Sequence, residues 1–340
     1  MAPKVLITFA PMVRNAGTPF DLLRDAGCDV LTSNSDRWLT ADELIPLVHD
    51  VDAIIAGGDP IDANVIAAAP RLKVVSRHGV GYDAVDVVAA TRAGVVVTIT
   101  PGSNSVSVAE LTFGFLVALA RRIPQMSRAL HEGDWTRRPG MELAGKTLGL
   151  VGLGNIGKAV ATRALAFGLR VIATDVVRDE RFAAENDIAY VPLSDLLREA
   201  DFVSLHAPGL PGAAPLIGEP ELRTMKRGSH LINTARGSLV DEDALYRALV
   251  DGHLAGAALD VFAQEPPGPS PLLTLDSVLA TPHIGGTIEA GTRTALMATE
   301  NALQVLRGEH CPHAVNPEVY AQSSSNTLRP APRPPNDGHP

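Results

Sequence analysis

A glycine-rich turn between two apolar runs constrains the fold of this chain more than any other feature. An apolar run over residues 148–153 leads into Gly152-x-Gly154-x-x-Gly157, a helical pattern follows, and a second apolar run ends on Asp175. A strand, a glycine turn, a helix and a second strand that ends in an acid form the fingerprint of a dinucleotide-binding βαβ unit. The sequence therefore predicts a parallel α/β sheet that binds a dinucleotide at this turn.

The residues of this turn have separate physical roles. Gly152 permits the tight turn, Gly154 lets a pyrophosphate approach the backbone, and Gly157 lets the helix pack closely on the strand. The first N–H groups of the helix, from about Asn155 and Ile156, have no partner within the helix and face the phosphates.

The acid at the end of the second strand predicts which dinucleotide binds. Asp175 is placed to accept hydrogen bonds from the adenosine ribose hydroxyls. The same carboxylate would repel a phosphate on the 2′ oxygen. We therefore expect NAD rather than NADP.

Composition excludes several classes of partner. The chain has 340 residues, 46% of them hydrophobic, and this length and composition favour two globular domains. Its net charge of −9 opposes binding to nucleic acid or to anionic membranes. The longest apolar helical run, over residues 111–120, is too short to span a bilayer. Cys28 and Cys311 give no disulfide framework, and the cluster at 310–313 lacks the spacing of a metal site. We expect a cytoplasmic protein without a metal.

Alternating β-like and amphipathic runs on either side of the fingerprint indicate two sheets. Before it, strands are predicted at 5–9, 30–32, 53–55, 73–75 and 95–98, with helices at 21–26, 41–48, 63–68 and 85–91. After it, strands are predicted at 203–206, 230–234, 255–259 and 278–280. A long apolar helix at 105–122 should link the two regions, and a helix at 287–307 should return the chain to the first. A helix this apolar also predicts a subunit contact along residues 105–122.

These patterns predict an α/β fold of two doubly wound parallel-sheet domains. A Rossmann NAD-binding domain at 104–285 is inserted into a discontinuous, flavodoxin-like substrate domain made of 1–103 and 286–321. The remaining residues, 322–340, are rich in Ser, Pro and Asn and are expected to be disordered.

Three residues at the predicted strand exits have the chemistry of an active site. Arg236 can grip a carboxylate with two parallel hydrogen bonds, and His283 titrates near neutrality, as a proton donor or acceptor must. Glu265 can hold the second ring nitrogen of His283 and stabilise its protonated form. Beside a nicotinamide, this set fits hydride transfer at the carbon next to a carboxylate.

Several motifs together resemble a known family over nearly all of residues 4–317. They are Arg77-His-Gly-Val-Gly-Tyr-Asp83, Pro101-Gly-Ser-Asn-Ser-Val-Ser-Val-Ala-Glu-Leu111, the turn Gly152–Gly157, Ile232-Asn-Thr-Ala-Arg-Gly237 with Leu239-Val-Asp241, Leu259-Asp-Val-Phe262 with Glu265-Pro266, and Pro282-His-Ile-Gly-Gly286. The chain resembles the D-2-hydroxyacid dehydrogenases, D-isomer specific, and within them the phosphoglycerate dehydrogenase-like branch.

The resemblance implies roles for particular residues. Arg236 matches the arginine that binds the substrate carboxylate, His283 the acid/base and Glu265 its paired carboxylate. Val80 and Gly81 match the loop whose N–H groups hold the substrate carboxylate. Besides the glycine turn and Asp175, the expected NAD-lining positions are Asn155, Ile156, His206, Ala207, Pro208, Thr234, Ala235, Arg236, Asp260, His283, Gly285 and Gly286. The family resemblance also implies a D-configured 2-hydroxy acid product and a homodimer built on the cofactor domain.

The substrate itself stays open at this point. Phosphoglycerate dehydrogenases place an arginine after the third strand, where this chain has Ala56-Gly-Gly-Asp59, so Arg77 is the remaining candidate cation for the substrate. Glyoxylate, hydroxypyruvate or a similar acid competes with 3-phosphoglycerate. Formate dehydrogenases carry an amide where Glu265 stands, which counts against them. A corepressor-like protein that senses NAD and binds peptides is the alternative of a different class.

Overall fold

The computed structural model describes residues 2–8, 17–33, 35, 37–209 and 212–325, with side chains described as far as residue 321. The chain forms two compact units. Met1–Pro101 together with Thr294–Pro340 make the first, and Gly102–Arg293 make the second. The division therefore falls inside a helix, Ile288–Leu306. Each unit is built around one parallel sheet.

The first unit, over the residues described, contains a five-stranded parallel sheet in the order β2-β1-β3-β4-β5. Its strands are β1 Lys4–Ile7, β2 Asp29–Thr32, β3 Ala53–Ala56, β4 Val74–Arg77 and β5 Val96–Thr98. The helices between them are α1 Thr18–Asp25, α2 Ala41–Leu44, α3 Ala63–Ala67 and α4 Val87–Ala93. Because all strands run the same way, their carboxyl ends share one edge, and the order reverses between β1 and β3.

Both faces of this sheet are covered by helices. In β3, Ala53 and Ile55 pack on one face, with Phe20 of α1 and with Ala298 of the long helix Ile288–Leu306. Ile54 packs on the opposite face, among the helices α2 to α4. Successive strand side chains point to opposite faces, so a strand buried on both sides reads as a continuous apolar run.

In the second unit, the described residues form a seven-stranded parallel sheet in the order β12-β11-β10-β9-β6-β7-β8. Its strands are β6 Thr147–Val151, β7 Arg170–Thr174, β8 Ala189–Tyr190, β9 Phe202–Leu205, β10 His230–Asn233, β11 Gly256–Leu259 and β12 Val278–Ala280. The helices of this unit are α5 Ser105–Arg121, α6 Ile123–His131, α7 Asn155–Ala166, α8 Glu180–Glu185, α9 Leu193–Glu199, α10 Glu219–Thr224 and α11 Glu242–Val250. Two more helices follow in the chain: α12 Ile288–Leu306, which spans the division between the units, and α13 Glu318–Ser325, which belongs to the first unit.

The predicted fold class, two doubly wound parallel sheets, is confirmed. In the second unit, α5 and α7 cover one face of the sheet around Phe202. The helices α9 to α11 cover the other face around Leu231. In the described part of the chain, no helix is long and apolar enough to cross a membrane. Those residues also contain no group of three or more His, Cys, Asp or Glu side chains that could hold a metal ion.

Several element predictions needed correction. The helix predicted at 41–48 turns into a 3-10 segment at Ile45–Leu47, where Pro46 cannot donate a backbone hydrogen bond. Helices α6 and α8 to α11 and the two-residue strand β8 were not predicted, because short elements carry little periodicity. α13 reaches Ser325, inside the segment expected to be disordered, and the rest of that segment lies outside the described residues.

One correction matters for the site. The strand predicted at 73–75 runs on to Arg77, so Ser76 and Arg77 are buried strand residues. Ser76 satisfies its hydroxyl by donating to the carbonyl of Ala298 at 2.7 Å. A buried polar side chain is stable when it has such a partner.

Candidate active site

The glycine turn has the close packing that its sequence predicted. Gly152 has φ +98°, and a Cβ atom there would lie 2.7 Å from the carbonyl carbon of His206. A Cβ atom on Gly157 would lie 2.2 Å from the carbonyl oxygen of Gly152. Both glycines are therefore required by backbone contacts that no side chain could avoid.

Gly154 differs from the other two glycines, because a Cβ atom there would meet no atom within 4 Å. It precedes α7, whose first residues are Asn155 and Ile156. Open space directly before a helix N-terminus suits a pyrophosphate, since the backbone can come close to it and the first N–H groups point outward. The residues of this turn fit a dinucleotide.

The acid after β7 is fixed against this turn. Oδ2 of Asp175 accepts a hydrogen bond from the backbone N–H of Leu153 at 2.6 Å, and Oδ1 accepts one from Val177 at 3.0 Å. These contacts hold the carboxylate beside the glycine turn, where the adenosine ribose of a dinucleotide would lie. Each oxygen can still accept a second hydrogen bond from a ribose hydroxyl.

Arg236 lies in a tight turn after β10. The side chain of Asn233 donates to the carbonyl of Arg236 at 2.8 Å and accepts from the N–H of Ala235 at 3.0 Å. Nη1 of Arg236 donates to the carbonyl of Ala235 at 2.7 Å. Next in sequence, a Cβ atom on Gly237 would lie only 1.8 Å from the carbonyl carbon of Phe262. The turn that carries Arg236 is thus pressed against the segment that leads to Glu265.

Glu265 and His283 form a direct pair. Nδ1 of His283 donates to Oε2 of Glu265 at 2.7 Å, and Oε1 of Glu265 accepts from the N–H of Phe262 at 3.1 Å. His283 is half exposed, so its ring can reach a ligand.

Each member of the pair changes the pKa of the other. The hydrogen bond with Glu265 raises the pKa of His283 above its usual value, against the opposing effects of burial and of Arg236. Burial acts to raise the pKa of Glu265, but the hydrogen bond and charge of His283, with a contribution from Arg236, hold it below its usual value. A carboxylate that raises the pKa of a hydrogen-bonded imidazole is the arrangement of a tuned acid/base. The charge of Arg236 influences both groups, so all three lie in one electrostatic environment.

The loop that carries His283 is organised by Asp260, which is 1% exposed. Oδ1 of Asp260 accepts from the hydroxyl of Thr281 at 2.5 Å and from the N–H of Ile284 at 2.8 Å, and Oδ2 accepts from the N–H of Gly285 at 2.9 Å. His283 itself has φ +54°, which a non-glycine residue adopts only when its surroundings impose it. Asp260 supplies that constraint.

Other predicted positions also lie at the carboxyl ends of these strands. His206 follows β9, and its Nε2 is 2.9 Å from the hydroxyl of Ser204. Burial lowers the pKa of His206 to about 4, so the ring is neutral. Thr234 is buried, with its hydroxyl 3.2 Å from that of Thr112. Ala207, Pro208, Ala235 and Gly286 lie in the same strand-exit segments.

Arg77, Val80 and Gly81 belong to the first unit, at the carboxyl end of β4. Arg77 is 7% exposed, and its Nε donates to the carbonyl of Gly81 at 3.1 Å. Asp59, after β3, is fully buried and accepts from the hydroxyl of Thr8 at 2.5 Å and from the N–H groups of Leu39 and Gly57. Its charge is thereby satisfied inside the unit.

Sequence reasoning missed three supporting residues. Asn233 shapes the turn that carries Arg236 through its side-chain hydrogen bonds. An Asn side chain often bonds the backbone two residues on, so Asn233 could have been predicted from the sequence to form this turn. Thr281 donates to Asp260, and Ser107 of α5 donates to the carbonyl of Gly285 at 2.8 Å. The Ser107 contact joins residues far apart in sequence, so no local pattern reports it.

Comparison with known proteins agrees with this geometry. The family model of the D-isomer specific 2-hydroxyacid dehydrogenase NAD-binding domain matches residues 113–285. A glyoxylate reductase of Korarchaeum cryptofilum is 46% identical over 81% of this chain and 86% of its own length. A D-3-phosphoglycerate dehydrogenase of Methanocaldococcus jannaschii is 42% identical over 86% of this chain, which spans 57% of that longer relative.

A solved structure shows the same similarity. The D-lactate dehydrogenase of Aquifex aeolicus, complexed with NAD and lactic acid, superposes with a TM-score of 0.82 at 29% identity, over 92% of this chain and 99% of that one. The fold, the dinucleotide turn and these matches together show that the chain belongs to the D-isomer specific 2-hydroxyacid dehydrogenase family and is an NAD-dependent oxidoreductase that acts on the CH–OH group of its donor.

Proposed function

We propose that this protein interconverts a small, unphosphorylated 2-keto acid and its D-2-hydroxy acid, with Arg236, Glu265 and His283 as its catalytic residues. The observation that carries the proposal is the 2.7 Å pair of His283 and Glu265 in the field of Arg236. A proton donor next to a carboxylate-binding cation is what reduction of a 2-keto acid requires.

The residues divide the chemistry between them. Arg236 binds the substrate carboxylate and so fixes the neighbouring carbonyl carbon. NAD, held at the turn Gly152–Gly157 and at Asp175, would supply or receive the hydride. During reduction, Nε2–H of protonated His283 gives its proton to the keto oxygen. The hydrogen bond to Glu265 keeps the second ring proton of His283 on Nδ1. In neutral His283 the lone pair is therefore on Nε2, and during oxidation this nitrogen accepts the hydroxyl proton.

The two-unit organisation suggests a division of binding roles. We assign NAD to the second unit, at the turn Gly152–Gly157 and Asp175, and the substrate-binding role to the first unit, through the N–H groups of Val80 and Gly81. The latter assignment rests on the family resemblance. In the described residues, neither of these two N–H groups donates to another group of the chain, which supports it.

The substrate is proposed to lack a phosphate because of the loop after β3. Residues 56–59 contain no cation, and Arg77, the nearest candidate, is buried against backbone carbonyls. Two relatives with high identity, from Korarchaeum cryptofilum and Thermofilum pendens, are named glyoxylate reductases. Glyoxylate and hydroxypyruvate are therefore the first substrates to test.

A panel assay tests the function. Wild-type protein and the H283A variant are mixed with NADH and with glyoxylate, hydroxypyruvate or 3-phosphohydroxypyruvate, and NADH oxidation is followed. The wild type should reduce at least one unphosphorylated acid with the highest kcat/KM, and H283A should lose about 10²–10⁴-fold of that rate while it still binds NADH. A wild type that reduces no 2-keto acid, or an H283A variant that keeps most of its rate, would contradict the proposal.

We also propose that the protein is a cytoplasmic homodimer held together by its second unit. The exposed apolar side chains of Ile123, Leu130 and Trp135 lie on α6 and the segment after it, next to an open groove of about 810 Å³. Exposed apolar side chains beside a groove of this kind favour a subunit interface. Light scattering after size exclusion should give a dimer for the wild type and a smaller species for the double variant L130D/W135S. Cell fractionation tests the proposed cytoplasmic location.

A further inference from the structure

We propose that Arg77 is a positioning residue for the carboxylate-binding loop, which it fixes through the carbonyl of Gly81, rather than a direct contact to the substrate. The inference rests on the proposed function, because it takes the N–H groups of Val80 and Gly81 as the place where the substrate carboxylate binds.

The first observation is where the guanidinium goes. Arg77 is the last residue of β4 and is 7% exposed. Its Nε donates to the carbonyl of Gly81 at 3.1 Å, and Nη1 lies 3.5 Å from the carbonyl of Ala56 at the end of β3. The side chain therefore links the carboxyl ends of two neighbouring strands, β3 and β4, inside the unit. In this buried position little of the guanidinium is accessible to a substrate phosphate.

The second observation is how the loop is held elsewhere. The carbonyl of Gly79 accepts from the N–H of Thr100 at 3.0 Å, and the N–H of Ile61 donates to the carbonyl of Ala84 at 2.8 Å. These contacts fix the two ends of the loop to the segment after β5 and to the segment before α3. Between them, the hydrogen bond from Arg77 to Gly81 holds the middle.

The middle of the loop needs such an anchor. Gly79 has φ +149°, and glycine has more backbone freedom to lose than any other residue. Fixing one residue costs roughly 1–2 kcal/mol of conformational entropy, so a loop ordered beforehand binds a carboxylate more tightly than one ordered on binding. A cation directly behind the loop also favours an anion in front of it.

The two possible roles of Arg77 predict different kinetics. A positioning residue affects every substrate that has a carboxylate, whether or not it carries a phosphate. A direct phosphate contact affects only the phosphorylated one. The ratio of kcat/KM for 3-phosphohydroxypyruvate to that for hydroxypyruvate therefore separates them.

The experiment uses the full-length variants R77M and R77K, with R71Q as the matched control. Arg71 pairs with Asp52 at 2.7 Å before the amino end of β4, away from the loop, so R71Q should behave like the wild type. R77M should raise KM for hydroxypyruvate at least about tenfold and leave KM for NADH within about twofold, with the substrate ratio unchanged. R77K keeps the charge and a donor and should recover part of the loss.

Binding of oxalate to NADH-loaded protein gives a second measurement that needs no turnover. NADH fluorescence should report at least tenfold weaker oxalate binding in R77M than in R71Q, and unchanged NADH binding in both would show that the second unit is intact. The inference is overturned if oxalate binding and KM are unchanged in R77M, or if only the phosphorylated substrate is affected. An inactive wild type would instead refute the proposed function, and oxalate binding would still test Arg77.

Discussion

Nδ1 of His283 lies 2.7 Å from Oε2 of Glu265, and this contact sets the protonation of the proposed acid/base. The hydrogen bond raises the pKa of His283, so the imidazolium needed for reduction persists to higher pH than in a free histidine. Reduction should therefore decline as pH rises through this raised pKa. Oxidation, which needs the neutral ring, should increase over the same interval.

Replacement of Glu265 by Gln should move this transition to lower pH. Gln cannot stabilise the imidazolium by charge, so the pKa of His283 falls. Reduction by E265Q should lose about tenfold or more at pH 8 and much less at pH 6. The measurement is kcat/KM for glyoxylate from pH 5 to pH 9. A profile of unchanged midpoint, lowered equally at every pH, would show that Glu265 does not tune His283.

Replacement of Arg236 by Lys should weaken substrate binding although the charge is kept. An ammonium group cannot make the two parallel hydrogen bonds that a guanidinium makes to a carboxylate. We expect KM for glyoxylate to rise about 10- to 100-fold, with KM for NADH changed much less. Steady-state kinetics with each ligand varied in turn provide the check. An unchanged KM for glyoxylate in R236K would remove Arg236 from this role.

Replacement of Asp260 by Asn should disturb the loop that carries His283. The two oxygens of the Asp260 side chain accept three hydrogen bonds, from Thr281, Ile284 and Gly285. In Asn one of these oxygens is replaced by an NH2 group, which cannot accept, so the N–H of Ile284 or Gly285 loses its acceptor. The kcat of D260N should fall about 10- to 100-fold, because small misplacements of a catalytic group are costly. T281V, which removes only the hydroxyl contact, should lose less. Equal kcat values for D260N and the wild type would be the contrary result.

Replacement of Asp175 by Asn should weaken the discrimination between NADH and NADPH. The amide oxygen can still accept from the N–H of Leu153, so the glycine turn should keep its shape while the negative charge disappears. The ratio of kcat/KM for NADH to that for NADPH should fall at least about tenfold. If D175N keeps the ratio of the wild type, the charge of Asp175 does not select the cofactor.

Stability should decrease in mild acid because of buried histidines. Burial, with a smaller effect of Arg122, lowers the pKa of His230 to about 4, whereas an unfolded histidine titrates near 6.5. Between pH 6.5 and pH 4, His230 is therefore protonated in the unfolded chain but not in the folded chain. The free energy of unfolding decreases as the pH falls through this interval. Each such histidine accounts for about 2 kcal/mol by pH 5. His206, whose pKa is also lowered by burial, likewise decreases the stability of the fold as the pH falls.

The H230L variant isolates one of these contributions. Urea unfolding at pH 7 and pH 5 should show a smaller difference between the two pH values in H230L than in the wild type. H131L is the matched control, because it makes the same substitution at an exposed histidine. Identical pH dependence in H230L and the wild type would rule out this origin.

Local sequence patterns predicted the sheets and the dinucleotide turn because those features depend on neighbouring residues. Gly152, Gly157 and Asp175 belong to one continuous motif, and the structure gives each glycine a backbone contact that explains it. The alternation of strands and helices likewise follows from burial on both faces of a parallel sheet.

The details of the site depended on contacts that no local pattern contains. Arg77 is buried at the end of β4 and donates to the carbonyl of Gly81, two facts that depend on the packing of the whole unit, whereas the sequence had predicted a strand that ends at residue 75. The positive φ of His283 is imposed by Asp260, a residue of another strand exit. The roles of individual site residues stay predictions, which the variants above test.

The contact of Gly237 with Phe262 has a mechanical consequence. A Cβ atom on Gly237 would lie 1.8 Å from the carbonyl carbon of Phe262, so no side chain fits between the two backbones at this point. The segments that carry Arg236 and Glu265 therefore cannot slide past each other and should move as one rigid piece. The distance between Arg236 and Glu265 is therefore set by the fold and should stay the same when a substrate enters.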